Sequence, residues 1–188
     1  MTLPVSIQIV PLHPLDFAEF MDYLDDHLSD NGKDGTAYFQ PSPQGQHAFS
    51  PQRAAAFRGA LEVPLSQHGW RRAWVARNET GQIVGHVDLR SHTERWSAER
   101  CLLGMGVDRA HRKIGLGAAL IEYVEHWAKQ ETAVGWIDLQ VLSNNTPAIR
   151  LYLRSGFKIT GEVRDMFKVD NQYFSYTDMT KYLYANQH

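Results

Sequence analysis

The residues best placed to do chemistry form a short basic turn that contains two glycines. The turn follows an apolar run that ends at Val107, precedes a strongly helical run, and reads Arg112-Lys113-Ile114-Gly115-Leu116-Gly117. The first turn of a helix leaves backbone N–H groups without partners and carries a partial positive charge. Glycine lets the backbone approach an anion closely, and the two basic side chains add full charges. The pattern predicts a phosphate-binding turn, although a plain strand-to-helix turn would carry the same glycines.

The spacing of the glycines excludes two common phosphate loops. The chain has no G-x-x-x-x-G-K-[ST] sequence, and G-x-G-x-x-G is not matched after Gly104 or Gly115. The identity of the anion therefore has to come from other residues.

A second group of candidate residues lies further along the chain. It reads Asn145-Thr146-Pro147-Ala148-Ile149-Arg150-Leu151-Tyr152 and continues to Gly156-Phe157. A tyrosine hydroxyl can donate a proton, and an asparagine amide can bind a polar group of a ligand. Each residue also has a purely structural interpretation, since Asn145 suits a helix N-cap and Tyr152 suits a packed aromatic position.

Composition restricts the class of protein. The 188 residues, of which 43% are hydrophobic, suit one globular domain that we expect to span residues 1–188. A formal net charge of −2 argues against bulk electrostatic binding of nucleic acid. The single cysteine, Cys101, excludes an internal disulfide, suits a reducing compartment, and is expected to be a small buried strand residue. No signal peptide and no run of 18 apolar residues is evident, so we expect a cytoplasmic protein without a membrane partner.

The elements that must position these residues alternate between strands and helices. Apolar periodicity and turn signals predict helices over residues 15–28, 51–61, 115–130 and 146–155. They predict strands over residues 5–11, 70–77, 83–90, 99–108, 136–142, 156–167 and 173–182. Residues 31–50, rich in Gly, Pro, Ser and Gln, are predicted to form a long loop of the kind that covers a binding site.

The two motifs together resemble the GCN5-related N-acetyltransferase (GNAT) superfamily. Arg112-x-x-Gly115-x-Gly117 matches the R/Q-x-x-G-x-G/A motif that binds acetyl-coenzyme A, and residues 145–157 match N-x-x-A-x-x-L-Y-x-x-x-G-F. The resemblance covers residues 70–183. It implies an α/β (α+β) GNAT fold, with a central mixed, mostly antiparallel twisted sheet of six to seven strands flanked by about four helices. A splayed parallel strand pair would hold the cofactor.

The resemblance also implies roles for individual residues. Met105, Gly106 and Val107 would bind the pantetheine arm as a neighbouring strand would, and Gly104 and Gly106 fit a bulge there. Asn145 would contact the cofactor, and Tyr152 would protonate the leaving thiolate. The pyrophosphate would be cradled by backbone amides of Arg112, Lys113, Ile114, Gly115, Leu116, Gly117 and Ala118.

Two positions depart from the family pattern. Lys113 stands where the family often has glycine directly after the arginine, which costs backbone freedom but adds positive charge. Gln140 stands where the branch that acetylates ribosomal-protein N-termini has a glutamate, and glutamine cannot accept a proton. Asp138 lies two residues earlier and shares a strand face with Gln140, so we expect Asp138 to assist deprotonation. Asp88, His86 and Glu99 on neighbouring predicted strands are alternatives that would act through water.

The sequence leaves the acceptor open. The resemblance implies transfer of acetyl from acetyl-coenzyme A to a primary amine, on a small molecule or a peptide N-terminus, with no metal. A coenzyme A sensor without turnover, another acyl donor, a hydroxyl acceptor and a homodimer also stay open. Residues 38–41 and His47 could close over the acceptor. Residues 16–34 are rich in acidic side chains, which are Asp16, Glu19, Asp22, Asp25, Asp26, Asp30 and Asp34. These acids would favour a cationic amine, unless they simply form the solvated face of a helix.

Overall fold

The fold is a seven-stranded sheet with helices on both faces. A computed structural model describes residues 6–46 and 49–184. The strands are β1 (Gln8–Pro11), β2 (Arg71–Arg77), β3 (Ile83–Ser91), β4 (Arg100–Val107), β5 (Trp136–Leu142), β6 (Lys158–Val169) and β7 (Gln172–Tyr182). The helices are α1 (Phe17–Ser29), α2 (Pro51–Glu62), α3 (Leu116–Glu131) and α4 (Thr146–Arg154). Short 3₁₀ turns over Pro14–Asp16 and Arg109–His111 precede α1 and α3.

The helix and hairpin boundaries follow local sequence signals. Ser50 Oγ accepts a hydrogen bond from the Arg53 N–H, and Pro51 occupies the first position of α2. The hairpin between β6 and β7 turns at Asp170 and Asn171, whose positive φ values of 48° and 61° suit a tight turn. These elements agree with the predicted helices and strands to within a few residues. The first strand was predicted from Val5, which lies outside the described residues.

The strand order is β1-β2-β3-β4-β5-β7-β6. Neighbouring strands are antiparallel except for β4 and β5, which are parallel. The predicted fold class, with its mostly antiparallel sheet, four helices and one parallel strand pair, is therefore confirmed.

The two faces of the sheet bury different sets of side chains. On one face, α3 packs Leu120, Ile121 and Val124 against residues of the central strands that include Leu89 and Leu103. On the other face, α1 and α2 pack aromatic side chains against β2, and we call this the α1–α2 face. The members of this second cluster include Phe17, Phe20, Leu24, Phe57, Ala73 and Val75. Cys101 is fully buried in β4, as predicted, and burial raises its thiol pKa to about 12, so it stays protonated at neutral pH.

The parallel pair separates soon after it forms. Paired positions run only from Arg100–Trp136 to Leu102–Asp138. Beyond them lies what we call the β4–β5 gap, between residues 103–107 of β4 and 139–142 of β5. The register between β3 and β4 is continuous from Gly85–Val107 to Ser91–Cys101. The expectation of a bulge at Gly104 and Gly106 is therefore wrong, because β4 diverges from β5 without an extra residue against β3.

Within the part of the chain that the structure describes, no helix is long and apolar enough to cross a membrane.

Candidate active site

The β4–β5 gap leaves a row of backbone groups open. Residues 103–107 of β4 have no partners on β5, while β3 satisfies their other edge. An extended ligand chain with amide groups can pair with such an edge as an added strand would. Met105, Gly106 and Val107, predicted to bind the pantetheine arm, all lie on this open edge.

The basic turn lies at the end of β4 and leads directly into α3. Gly115 is the N-cap residue of α3 and has a φ of 90°, a left-handed conformation that glycine adopts without strain. The N–H groups of Leu116, Gly117 and Ala118 follow in the first helical turn, where no intrahelical acceptor exists. These N–H groups, at the positive end of the helix, suit an anion such as a pyrophosphate.

The two basic residues of this turn have different roles. Arg112 Nε donates to the Val107 carbonyl at 3.1 Å, and Arg112 Nη2 lies 3.4 Å from Asp30 Oδ2. Arg112 therefore ties the end of β4 to the end of α1. Lys113 is exposed and has a φ of 65°, so this lysine adopts the left-handed conformation that the family often gives to glycine.

The acidic face of α1 is largely used within the protein. Asp26 and Asp30 pair with Arg109, and Asp16 and Glu19 pair with Arg77. Asp25 Oδ1 accepts a hydrogen bond from the Phe49 N–H at 2.8 Å. Because these carboxylates are compensated, the expected acidic rim for a cationic amine is not supported.

Tyr152 lies on α4, next to the basic turn. The neighbouring Leu151 lies so close to Gly117 that a Cβ atom there would be 2.8 Å from Leu151 Cδ2. The Tyr152 ring is buried and packs edge-on against Phe157, with ring centres 5.8 Å apart. Burial raises the pKa of Tyr152 to about 12, so the phenol keeps its proton at neutral pH.

Asn145 acts as the N-cap of α4. Its Oδ1 accepts a hydrogen bond from the Ala148 N–H at 3.3 Å. It follows the end of β5, and because β4 and β5 are parallel, it lies at the same edge of the sheet as the basic turn. The structural interpretation of Asn145 is thus confirmed, while its contact with a cofactor stays a prediction.

Asp138 is engaged in a two-point ion pair. Arg100 donates from Nε to Oδ2 at 2.7 Å and from Nη2 to Oδ1 at 2.5 Å, and Thr180 Oγ1 donates to Oδ1 at 2.6 Å. The hydrogen bond from Arg100 to Asp138 raises the pKa of Arg100. Both carboxylate oxygens of Asp138 are thus occupied by donors within the sheet, and an amine would have to displace them to reach either oxygen. The structure therefore argues against the expectation that Asp138 is the base.

The strand register places a different carboxylate beside Gln140. Gln140 on β5 lies directly opposite Asp178 on β7, and Gln140 Nε2 donates to Asp178 Oδ1 at 2.9 Å. Gln140 and Asp138 share a strand face, as predicted, and their partners Asp178 and Thr180 lie on that face too. Sequence reasoning missed Asp178 because only the pairing of β5 with β7 brings it to Gln140.

One row of side chains crosses the sheet level with the β4–β5 gap on the α1–α2 face. Asp88 on β3 lies opposite Gly104 on β4. Leu102 is level with Asp138, so two residues further along both strands Gly104 is level with Gln140 across the gap. A Cβ atom on Gly104 would lie 2.4 Å from Asp88 Oδ2. The missing side chain therefore leaves room for a carboxylate beside the gap.

A buried histidine pair lies one step along the same strands. His86 on β3 lies opposite Gly106, and α1 adds His27 and Tyr23. A Cβ atom on Gly106 would lie 2.5 Å from His27 Nε2 and 2.7 Å from His86 Cε1. Tyr23 Oη lies 3.2 Å from His86 Nδ1 and donates to the Gly106 carbonyl at 3.4 Å. The two glycines of β4 thus make space for groups from β3 and α1.

Both histidines are neutral at physiological pH. Burial, together with nearby Arg112, lowers the pKa of His27 to about 4, and burial, together with His27 and Arg71, lowers the pKa of His86 to about 3. His27 Nδ1 is buried without a hydrogen-bond partner. The sequence signal for this cluster was weak, since His27 looked like one more polar residue of an amphipathic helix.

The loop between α1 and α2 is held near the tip of the β6–β7 hairpin. Asn31 Nδ2 donates to the carbonyls of Gln40 and Ser42, and its Oδ1 accepts from two backbone N–H groups. Tyr38 Oη donates to Asp170 Oδ2 at 2.7 Å, and Phe39 packs on His27. The loop therefore reaches from α1 to the turn between β6 and β7. Its predicted closing residue His47 lies outside the described residues.

Glu99 and two surface cavities lie away from the gap. Glu99 precedes β4, and its carbonyl accepts from the N–H groups of Gly135 and Trp136 at the opposite end of the strand pair. A cavity of about 560 Å³ lies near Trp70 and Val134, and one of about 340 Å³ lies beside Asp108. Neither cavity is lined by the residues that border the gap. Among residues 6–46 and 49–184, no cluster of three His, Cys, Asp or Glu side chains could hold a metal ion.

Comparison with known proteins identifies a family. A model described as the acetyltransferase (GNAT) family matches residues 37–157. The chain is 30% identical to streptothricin acetyltransferase of Escherichia coli over 104 residues. This match covers 55% of this chain and 58% of that protein. It is 29% identical over 114 residues to the L-amino acid N-acetyltransferase AaaT of Escherichia coli strain K12, with coverage of 54% and 68%. For the first of these curated relatives, the match spans less than two thirds of the protein.

Solved structures share the fold at low sequence identity. The structure of yncA from Salmonella typhimurium, solved with its cofactor acetyl-CoA, has a TM-score of 0.74 at 15% identity, and the match covers 97% of both chains. The spermidine N-acetyltransferase of Vibrio cholerae, in complex with CoA and spermine, has a TM-score of 0.70 at 14% identity. It covers 96% of this chain and 97% of that one.

Proposed function

Because the chain belongs to the GNAT family of acetyltransferases, we propose that it transfers an acetyl group from acetyl-coenzyme A to a primary amine on a small molecule or peptide. The observation that supports this most directly is the β4–β5 gap, which leads into the anion-binding start of α3. Acetyl-coenzyme A, when bound, would supply an acetyl group activated as a thioester.

The chain's own residues fit this donor. The open edge of β4 at Met105, Gly106 and Val107 would pair with the amides of the pantetheine arm. The backbone N–H groups of residues 112–118, with the charge of Lys113, would bind the pyrophosphate. Asn145, at the same edge of the sheet, would contact the arm.

Tyr152 is proposed as the proton donor. As the new N–C bond forms and the C–S bond breaks, the departing sulfur takes up one proton and the amine loses one. Burial raises the pKa of Tyr152 to about 12, so its O–H is present at neutral pH and can donate to the sulfur as negative charge develops there. Support comes from its place on α4, which packs against the start of α3.

Asp178 is proposed as the proton acceptor in place of Asp138. Its carboxylate lies on the α1–α2 face beside Gln140, level with the gap, and the amide of Gln140 orients it. The amine would then approach from the α1–α2 face, while Tyr152 acts from the α3–α4 side. In this proposal the acid and the base would act from opposite sides of the reacting carbon.

Two measurements on the purified chain test the proposed function. Isothermal titration with acetyl-coenzyme A measures donor binding, and thiol release over a panel of amines measures transfer. The panel contains polyamines, aminoglycosides, amino acids and short peptides, with matched alcohols as controls. Binding together with amine-dependent thiol release is expected. Tight binding without release from any acceptor would show a sensor, and absence of binding would refute the donor assignment.

A further inference from the structure

Two ion pairs neutralise most of the charged side chains near the β4–β5 gap. Arg100 and Asp138 form the two-point pair described above. Arg71 Nε lies 3.2 Å from Asp88 Oδ1, although it is not aligned to donate a hydrogen bond there. The Arg71 guanidinium also stacks on the Phe57 ring at 4.2 Å. These two pairs account for two positive and two negative charges on the α1–α2 face.

Arg90 carries a positive charge that neither of these two pairs neutralises. Its Nη1 lies 3.4 Å from Asp88 Oδ1, the same oxygen that Arg71 approaches. Two guanidinium groups thus share one carboxylate, which leaves a net charge of +1 in a largely buried cluster. The Asp88 side chain is 8% exposed, whereas the Arg90 side chain is 36% exposed and is therefore the accessible member.

Arg90 also lies at the right place to contact a bound acceptor. A Cβ atom on Gly104 would lie 3.2 Å from Arg90 Nη1, so the guanidinium reaches over β4 at the level of the gap. On the other side of the gap, Asp178 is the carboxylate that no arginine pairs with in the described part of the chain. Tyr176 on β7 is near both groups, because its pKa, which burial raises, is also lowered by Arg90 and raised by Asp178.

From this charge arrangement we infer that the acceptor is a compact amine that also carries an acid group, as an α-amino acid does. The inference rests on the proposed function and names the substrate class of the same site. The acid group would bind the Arg90 guanidinium, and the amine would point to the gap beside Asp178. Arginine suits this role because its fork of N–H donors matches a carboxylate.

The same arrangement disfavours a polyamine. A second ammonium group close to the reacting amine would meet the surplus positive charge of Arg71 and Arg90. The exposed Lys158 on the edge strand β6 adds another positive charge on the same side, since it lies opposite Thr180. A cationic acceptor would therefore lose affinity where an anionic group gains it.

Matched acceptors test the inference in the unmodified protein. L-leucine, L-leucinamide and 3-methylbutylamine share one side chain and differ in the acid group, and the same series is made for methionine and phenylalanine. We expect kcat/KM for the acid to exceed that for the amide and the amine by about tenfold or more. The amide has the less basic nitrogen, so intrinsic availability of the neutral amine works against this result. Equal or better turnover of the amides, or of spermidine, would overturn the inference while leaving the proposed function intact.

Two variants assign the preference to Arg90. Arg90→Gln is expected to lower the acid-to-amide ratio of kcat/KM about tenfold, and Arg90→Lys is expected to restore part of it. Arg164→Gln removes an arginine that is 87% exposed and should keep the wild-type ratio. An unchanged ratio in Arg90→Gln would contradict the inference.

A binding measurement separates this inference from the proposed function. Titration of N-acetyl-L-leucine and N-acetyl-L-leucinamide into the protein with coenzyme A present reports acid recognition without turnover. Preferential binding of the acid, lost in Arg90→Gln, would support the inference even if no acceptor releases thiol. Equal affinity for the two compounds would refute it. Thermal melts of each variant confirm that the comparison is made on folded protein.

Discussion

Two side chains on opposite sides of the sheet carry the proposed chemistry. Tyr152 lies on α4 beside the start of α3, and Asp178 lies on the α1–α2 face beside Gln140. Each owes its state to its surroundings: burial keeps the Tyr152 phenol protonated, and a hydrogen bond from Gln140 fixes the Asp178 carboxylate. The two roles can be tested separately because the groups are on different elements.

Removal of the Tyr152 hydroxyl should affect turnover more than binding. Tyr152→Phe keeps the ring that packs on Phe157 but loses the proton donor. We expect kcat to fall by more than about tenfold, in the range usual for a general acid, with the Kd for acetyl-coenzyme A nearly unchanged. Steady-state kinetics and calorimetry measure the two quantities. Tyr182→Phe, at an exposed position of β7, is the matched control, and unchanged kcat in Tyr152→Phe would exclude the acid role.

The activity lost when the Asp178 carboxylate is removed should be partly restored by a carboxylate at position 140. Asp178→Asn is expected to lower kcat/KM at pH 7 by about 100-fold, the size of a typical general-base contribution. Because Gln140 lies directly opposite, Gln140→Glu in the same chain would return a carboxylate to within one cross-strand contact. We expect the double variant to recover at least about tenfold of the loss. Failure of both the loss and the recovery would remove Asp178 from the mechanism.

At the scale of elements, the turn between β4 and α3 combines anion binding with backbone strain. Gly115 adopts its left-handed φ without cost, but Lys113 adopts a φ of 65° that disfavours a side chain. The exposed ammonium group of Lys113 offsets this cost if it faces a pyrophosphate. Lys113, where the family often has glycine, therefore costs backbone strain and adds a positive charge.

Two substitutions at position 113 separate strain from charge. Lys113→Gly should raise the free energy of unfolding by about 1 kcal/mol, because glycine tolerates the left-handed backbone. Lys113→Gln should leave the strain in place and show no such gain. Both variants should bind coenzyme A a few-fold more weakly, with a smaller dependence on salt than the wild type. Urea unfolding and calorimetry at two salt concentrations measure these effects, and an unchanged salt dependence would exclude Lys113 from anion binding.

At the scale of the whole molecule, the fold encloses two neutral histidines between α1 and the sheet. His27 and His86 lie against Gly106 on β4, so the cluster beside the strand proposed to bind the donor also links the stability of the molecule to pH. The unfolded chain has ordinary histidines with a pKa near 6.5, whereas the folded pKa values are about 4 and about 3.

Stability should fall as the solution is acidified below pH 6.5. Above that pH both histidines are neutral in both states, and below it the unfolded chain takes up protons that the folded chain cannot. The free energy of unfolding should then decrease by about 1.4 kcal/mol per pH unit for each histidine, until pH falls to the folded values. Urea unfolding between pH 7.5 and 4.5 measures the slope. His27→Phe should reduce the slope by about half, whereas the exposed His68→Gln should not, and equal slopes in all three proteins would contradict this account.

The sequence by itself determined the turns, helix caps and motif positions of this protein. The glycine turn ahead of α3, the capped start of α4 at Asn145 and the position of Tyr152 all depend on residues close together along the chain. Helix caps, turns and apolar periodicity are local effects, so the elements and the family motifs were predictable. Asp138 was predicted as the base from the pattern of its own strand, which does not show that Arg100 pairs with it.

Only the tertiary structure decided which side chains meet. Arg100 forms an ion pair with Asp138, and Asp178 on β7 accepts a hydrogen bond from Gln140. Two further contacts lie at the glycines of β4, where Arg90 extends over Gly104 and His27 on α1 lies against Gly106. Each of these contacts joins residues that are far apart in sequence, and each is set by the register of strand pairing or by the docking of a helix on the sheet. A strand's own pattern shows which face a side chain takes, but not which strand lies next to it. The residues proposed to bind the donor therefore follow from local motifs, whereas those proposed to bind the acceptor follow from the assembled sheet.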